Sequence, residues 1–297
     1  LLEWAADVVG VTAFERIEAL RGGGTSSVWR LTAATDRGPV SVVAKQPAVG
    51  AADAGLVRRE FRVLDALRPL GLPVPEPLAS DPDGICSGRP TLLLSPVPGA
   101  LLRGPAALRE AIPEYVRAMV DWQERARGLV AGRRFGPWFD PANPHPRPRS
   151  SRPDLWRRAA DVVRRFPAPI ADGFIHRDPQ PANMLFEGQR VSGVVDWPRA
   201  GRGPRGMDLS RAAIHLACCV DLEATRTLRG HWEEVTGTRH DPLLDVYALL
   251  EWPETGEADA LPVFAALGVA LAGAEIRERL EGFLTDALDR MTVRRLK

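Results

Sequence analysis

Between residues 14 and 48 apolar and polar positions alternate in three short runs, 14–20, 27–33 and 40–46, separated by Gly22-Gly23-Gly24 and by Asp36-Arg37-Gly38-Pro39. Period-two alternation bounded by turn residues predicts three strands of a small antiparallel sheet. The period then lengthens. Residues 52–68 place Leu56, Glu60, Val63, Leu64 and Leu67 on one stripe of a helix that Pro69, Gly71 and Pro73 bring to an end. Short extended stretches are expected near Pro77 and over residues 91–95, followed by the turn Pro96-Val97-Pro98-Gly99. From about residue 104 helical spacing dominates, at 106–127, 154–166 and 208–220 and in several helices from 222 onward. A proline-rich stretch over 137–153 and a loop-and-hairpin segment over 174–208 interrupt it. The expected organisation is α+β, with a sheet-bearing N-terminal lobe over 1–95 and a larger, mainly helical lobe over 96–297.

Of 297 residues 45% are hydrophobic and 26% charged, enough for a sizeable core. The net charge of +1 supplies no global field toward nucleic acid or an anionic membrane, and neither partner is expected. Cys86, Cys218 and Cys219 have neither disulfide-framework nor zinc-ligand spacing, so buried, reduced thiols in a cytoplasm are expected. Residues 1–10 have no basic start and carry Glu3 and Asp7, so no signal peptide is expected, and the missing initiator Met points to preceding residues. The longest apolar run, 261–274, is too short to span a bilayer and reads as a core helix.

Of 39 basic residues only Lys45 and Lys297 are lysines. A chain that otherwise writes positive charge as arginine has a compact, flexible ammonium at one internal place. Alternation puts Lys45 on the same strand face as Val43. The carboxylate of Glu60, on an otherwise apolar stripe, needs a cation there, because an unpaired buried charge costs several kcal/mol.

Residues 173–196 are the richest in chemistry: His176-Arg177-Asp178-Pro179-Gln180-Pro181-Ala182-Asn183, then an apolar run, the turn 187–190 and a return to Asp196. Two prolines exclude regular helix, so Asp178 and Asn183 lie on an irregular loop. Counting outward from the turn sets Asn183 and Asp196 nearly opposite each other. The convergence of two carboxylates and an amide offers hard oxygens of the kind Mg²⁺ takes together with phosphates and water.

The His-Arg-Asp triplet, the Asn five positions after its Asp and the hairpin ending in Asp196 resemble the catalytic core of protein kinases. Val194-Val195-Asp196-Trp197 and Met207-Asp208-Leu209-Ser210 are more similar to the aminoglycoside phosphotransferase family of kinase-like enzymes, over about residues 14–210. The resemblance implies a protein-kinase-like two-lobed fold and ATP- and Mg²⁺-dependent phosphoryl transfer to a hydroxyl of a small molecule. It implies that Gly22, Gly23, Gly24, Ser26 and Ser27 cover the triphosphate and that Lys45, held by Glu60, takes the α- and β-phosphates. Asp178 is implied as the group that orients the acceptor hydroxyl, Asn183 and Asp196 as Mg²⁺ ligands, and His176 and Asp208 as supports of the loop. Val43 would wall the cleft, and the Ser95 carbonyl and Val97 amide would meet adenine at the hinge. No long activation segment separates Asp196 from Asp208, which disfavours a protein substrate. Arg199, Arg202 and Arg205 in that interval either assist with phosphate charge or form a solvated basic loop. Residues 221–260 carry ten acids against three arginines, so the acceptor is either a cation such as an aminoglycoside or another alcohol, with the acids on solvated helix faces. Choline, homoserine, sugars and macrolides stay open as acceptors, as does a catalytically silent nucleotide-binding scaffold.

Overall fold

The structure is a computed structural model and describes residues 1–20, 26–48, 54–144, 150–167, 170–252 and 256–295. A helix, α1 (Leu2–Val9), precedes the strands β1 (Arg16–Ala19), β2 (Ser26–Ala33) and β3 (Val40–Pro47). Helix α2 (Ala54–Leu67) and strands β4 (Pro77–Asp81) and β5 (Thr91–Leu94) complete the first part of the chain. The five strands form one antiparallel sheet in the order β1-β2-β3-β5-β4.

Alternation along β2 and β3 divides this sheet into two faces. Leu31, Val42, Ala44 and Leu93 pack with Ala5 and the partly buried Trp4 of α1 on one face. The other carries Val43 and Lys45 toward a cleft. Helix α2 buries Val57, Glu60, Val63, Leu64 and Leu67, close to the predicted stripe, and packs against β4 and β5. Helix α1, which the sequence pattern of residues 1–10 does not announce, covers the outer sheet face.

The rest of the chain is mainly helical: α3 (Pro105–Glu110), α4 (Ile112–Arg125), strand β6 (Arg133–Arg134), α5 (Pro153–Arg165), then β7 (Gly173–Ile175), β8 (Met184–Glu187), β9 (Arg190–Val194) and β10 (Gly201–Gly203). Helices α6 (Gly206–Cys219), α7 (Leu222–Thr236), α8 (Pro242–Leu250), α9 (Gly256–Ala266) and α10 (Gly273–Arg295) follow. Every residue of α6 is buried, and α7, α8 and α10 pack around it. A helix built all round from small and apolar residues such as Ala212, Ala213, Ala217 and Cys218 belongs inside a core.

Three expectations change. The predicted helix over 106–127 is two helices, because Pro113 begins α4 at a first-turn position where its missing N–H costs nothing. The predicted core helix over 261–274 breaks at Gly268, whose φ of +72° lies in the left-handed region, and the chain restarts as α10. Cys86 is exposed, while Cys218 and Cys219 are buried as expected. Among the described residues no helix is long and apolar enough to cross a membrane.

Candidate active site

Lys45 is the hub of the site. Its ammonium donates to both Glu60 oxygens, at 2.8 and 2.6 Å, and to Asp196 Oδ1 at 2.5 Å. The strand delivers the amine, α2 delivers Glu60 from fifteen residues on, and the end of the β8–β9 hairpin delivers Asp196. Glu60 Oε1 also accepts the main-chain N–H of Trp197 at 3.1 Å, which joins α2 to the segment just past Asp196. Burial alone would lower the Lys45 amine, but Asp196 and Glu60 outweigh it and hold the ammonium charged. Burial alone would likewise raise Asp196; Lys45 outweighs it and holds the carboxyl below its ordinary range.

The catalytic-type loop is held from behind. Asp208, on the first turn of α6, accepts the amide of His176 at 3.0 Å and that of Arg177 at 2.7 Å, and is also reached by Trp122 Nε1 and Gln123 Nε2. Burial pushes this carboxyl up even so. Asp208 therefore supports the loop, as expected, and does not cap its helix, whose N-terminus has no side-chain cap bond. His176 Nε2 donates to the Val195 carbonyl at 3.0 Å while Nδ1 accepts the Asp178 amide at 3.2 Å, so one ring ties the loop to the hairpin and fixes the tautomer. Arg177 adopts φ +72° and Asp196 φ +71°, a strained region for residues with a Cβ, at a cost of roughly 1–2 kcal/mol each. Asp178 remains partly open, with Gln180 Nε2 at 3.3 Å from Oδ2.

Asn183 and Asp196 are brought together by a register shift. Met184 pairs with Val194 and Leu185 with Gly193, but Phe186 pairs with Val191, leaving Ser192 as a bulge. The extra residue sets Asn183 beside Val195, whose N–H donates to the Asn183 carbonyl at 3.0 Å, one position from Asp196. The Asn183 side-chain amide donates to the Asp178 carbonyl at 2.8 Å, which leaves its Oδ1 as an acceptor. Both side chains line the cleft. Among the described residues no group of three His, Cys, Asp or Glu side chains could hold a metal alone. One amide oxygen and one carboxylate fit Mg²⁺, which takes few protein ligands and fills its octahedron with phosphate and water.

The cleft itself has a volume of about 250 Å³. Val28, Val43, Leu94, Val97, Leu101 and Leu185 give it apolar walls, and Lys45, Glu60, Asn183 and Asp196 form its charged end. Ser26 and Ser95 also line it. Gly22, Gly23 and Gly24 lie outside the described residues. The linker after β5 rests on the hairpin: Ser192 Oγ donates to the Pro98 carbonyl at 2.9 Å, and a Cβ on Gly193 would stand 2.3 Å from Val97 Cγ1. Arg30, which faces Val43 across β2 and β3, lines the cleft too and was missed; its place two residues beyond Val28 on the same strand face was the available signal.

The three arginines of the following segment part company. Arg205 donates to Glu124 at 2.5 Å and Arg202 to the Arg127 carbonyl at 3.3 Å, while Arg199 lies over the Trp138 ring at 4.5 Å.

Comparison with known proteins agrees with this geometry. A homoserine kinase from Brucella anthropi is 27% identical over 207 residues, which cover 66% of this chain and 60% of that protein. The chain thus spans less than two thirds of that relative's length. Among solved structures, choline kinase LicA from Streptococcus pneumoniae superposes with a TM-score of 0.66 at 14% identity, covering 96% of this chain and 99% of that one. A ternary complex of a thermostable mutant of aminoglycoside phosphotransferase APH(4)-Ia with ADP and hygromycin B gives 0.65 at 14%, covering 96% and 98%. These likenesses show the fold, the α+β kinase-like arrangement expected from the sequence. The model of the phosphotransferase enzyme family matches residues 16–250, a stretch that contains Lys45, Glu60, the whole loop from His176 to Asn183, Asp196 and Asp208, and the chain belongs to that family.

Proposed function

We propose that this protein transfers the γ-phosphoryl group of ATP, with Mg²⁺, to a hydroxyl of a small molecule. The observation that carries the reading is the Lys45 ammonium joined to both Glu60 and Asp196 at the charged end of an apolar cleft, with Asn183 alongside. Phosphoryl transfer needs positioning and charge neutralisation more than covalent chemistry. Lys45, kept in place by Glu60, holds the α- and β-phosphates. Ser26, Ser27 and the glycine run 22–24 cover the triphosphate, and Val43, the Ser95 carbonyl and the Val97 amide frame the adenine. Asn183 and Asp196 hold Mg²⁺, which when bound neutralises charge on the phosphates. Asp178 orients the acceptor hydroxyl and takes its proton as the new P–O bond forms and the bond from the γ-phosphorus to the bridging oxygen breaks, releasing ADP. His176 and Asp208 are positioning residues that keep the loop in register.

The named activities of the relatives share a hydroxylated acceptor: homoserine, choline and an aminoglycoside. Several acids of the stretch 221–260 are already engaged within the fold, which weakens the case for a polycationic acceptor. Asp221 and Asp241 cap α7 and α8, Glu223 pairs with Arg226, and Asp245 is buried against His240 and Arg290. The reading includes a cytoplasmic enzyme with lobes over 1–95 and 96–297; the free cysteines suit a reducing compartment, and the five-stranded sheet falls within the first lobe.

The test is ADP release from Mg²⁺-ATP across a panel of hydroxylated acceptors, with Asp178→Asn and Asp196→Ala beside the parent protein. Acceptor-dependent ADP that vanishes in Asp178→Asn while ATP binding persists, and weakened nucleotide binding in Asp196→Ala, are expected. Undiminished turnover by Asp178→Asn would remove Asp178 from its role. ATP binding with no acceptor-dependent ADP would favour the silent scaffold.

A further inference from the structure

Beside the catalytic-type loop, Trp138 gathers three guanidinium groups from three parts of the chain: Arg177 of the loop at 4.5 Å from the ring centroid, Arg199 at 4.5 Å and Arg211 of α6 at 4.7 Å. Attraction to the ring contributes about 0.5–2 kcal/mol per cation, but like charges so close repel. The carboxylate hydrogen-bonded into the cluster is Glu251, whose Oε1 accepts Arg177 at 2.9 Å and the Trp138 amide at 3.3 Å. Arg177 and Arg211 are both in its electrostatic reach, and its Oε2 is buried with no hydrogen-bond partner among the described residues.

The three are not equally satisfied. Arg177 is anchored by Glu251, by the Gly136 carbonyl at 2.5 Å and by the Phe135 ring at 4.7 Å. Arg211, only 7% exposed, has one long contact to the Ala248 carbonyl at 3.5 Å, and its Nε has no partner among the described residues. Arg199 makes no hydrogen bond or ion pair with a described residue and lies within electrostatic reach of Asp196. His215 is in electrostatic reach of both Asp178 and Arg211; burial holds it down at about 4, so it adds no charge near neutrality. A nearly buried guanidinium with most of its donors idle is costly unless an anion completes it. Trp138, 40% exposed, leaves the cluster a way to solvent.

We propose that Arg211 and Arg199, on the Trp138 ring, form a subsite for a carboxylate of the acceptor, so that the acceptor is a small hydroxy acid and not a polycation. The inference rests on the phosphotransferase reading above and narrows its substrate class. A planar carboxylate matches the two-pronged guanidinium fork. Arg211 and Trp138 do not line the nucleotide cleft, whereas Arg199 lines a small pocket with Lys45, Glu60 and Asp196, so it is Arg211 that favours the acceptor over the nucleotide phosphates as the anion held. Arg177, the chain neighbour of Asp178, lies over the same Trp138 ring as Arg211, so an acid group seated there stands beside the loop that carries Asp178.

The experiment pairs acceptors that differ in charge alone: L-homoserine, L-serine and γ-hydroxybutyrate, each beside its primary amide, with choline and hygromycin B as cationic controls. Binding is measured calorimetrically on the full chain saturated with Mg²⁺ and AMP-PNP, and turnover by ADP release. At least one hydroxy acid should bind about tenfold or more tightly than its amide, a loss in line with one charge-assisted pair. Arg211→Gln should erase that difference and Arg211→Lys restore part of it, with KM for ATP within about twofold of the parent. Because Arg211 is buried, the acid-amide comparison on the unaltered protein stands even where a variant fails to fold. Equal binding of acid and amide, no binding of any hydroxy acid, or preference for the cations would overturn the subsite. A variant effect on KM for ATP alone would reassign the arginines to the nucleotide phosphates. Hydroxy acids bound through Arg211 without any ADP release would sink the transfer reading and leave the subsite standing; ADP release indifferent to acceptor charge would do the reverse.

Discussion

Asp208 accepts the main-chain amide of His176 at 3.0 Å from thirty-two residues further along the chain. With the Arg177 amide at 2.7 Å on its other oxygen, the carboxylate satisfies two consecutive buried donors. Asp208→Ala orphans both and should cost about 2–4 kcal/mol, whereas Asp208→Asn keeps one acceptor and should cost about half as much. Urea denaturation of the two variants, with amide exchange followed at His176 and Arg177, checks both the ranking and its origin.

Lys45 compensates two carboxylates at once, at 2.6 Å from Glu60 and 2.5 Å from Asp196. Lys45→Met should therefore destabilise by about 3–5 kcal/mol, more than the loss of one surface ion pair. Adding Glu60→Gln to Lys45→Met should recover part of that loss, because one of the stranded charges is then gone. A double-mutant cycle by chemical denaturation measures the coupling, and additive effects would show that the two residues act separately.

Gly193 leaves room for Val97, whose Cγ1 would lie 2.3 Å from an added Cβ. Gly193→Ala should displace Val97 into the cleft and raise KM for ATP several-fold, with a stability loss of about 1–3 kcal/mol. Nucleotide titration beside thermal unfolding separates the two effects. Loss of stability with unchanged nucleotide affinity would place the strain elsewhere.

The His215 imidazole is held at about 4 by burial, against the pull of Asp178 and with a further push from Arg211. The unfolded chain takes up its proton near pH 6.5 and the folded one only near 4. Stability carried by the neutral ring is therefore complete above about pH 6.5 and is lost, by a few kcal/mol, as pH falls toward 4. His215→Phe should flatten that slope between the two values while other carboxylate-linked losses persist below it. An unchanged slope would assign the pH dependence to other groups.

The sequence makes the chemistry legible where residues close in the chain are also close in space. Asp178 and Asn183 share one loop, and the turn at 187–190 brings Asp196 back to it, so spacing alone predicts their meeting. The Lys45–Glu60 pair was legible for another reason, since a carboxylate on an apolar helix stripe needs a cation and few candidates existed. What stayed hidden depends on packing. Nothing local shows that residues 2–9 cover the outer sheet face, because an amphipathic helix does not name its partner. The bulge at Ser192 is invisible to a count made from the turn. The cluster about Trp138 joins residues 138, 177, 199 and 211, which only the folded chain assembles. The helix break at Gly268 was masked by an apolar run that continued through it.

The bond from the Trp197 amide to Glu60 acts as a latch on α2. Swinging that helix outward would take Glu60 from the Trp197 N–H and leave Lys45 to Asp196 alone, at a cost of about 2–3 kcal/mol. The helix and the segment just past Asp196 are therefore expected to move as one body, so that a change displacing either one displaces the other.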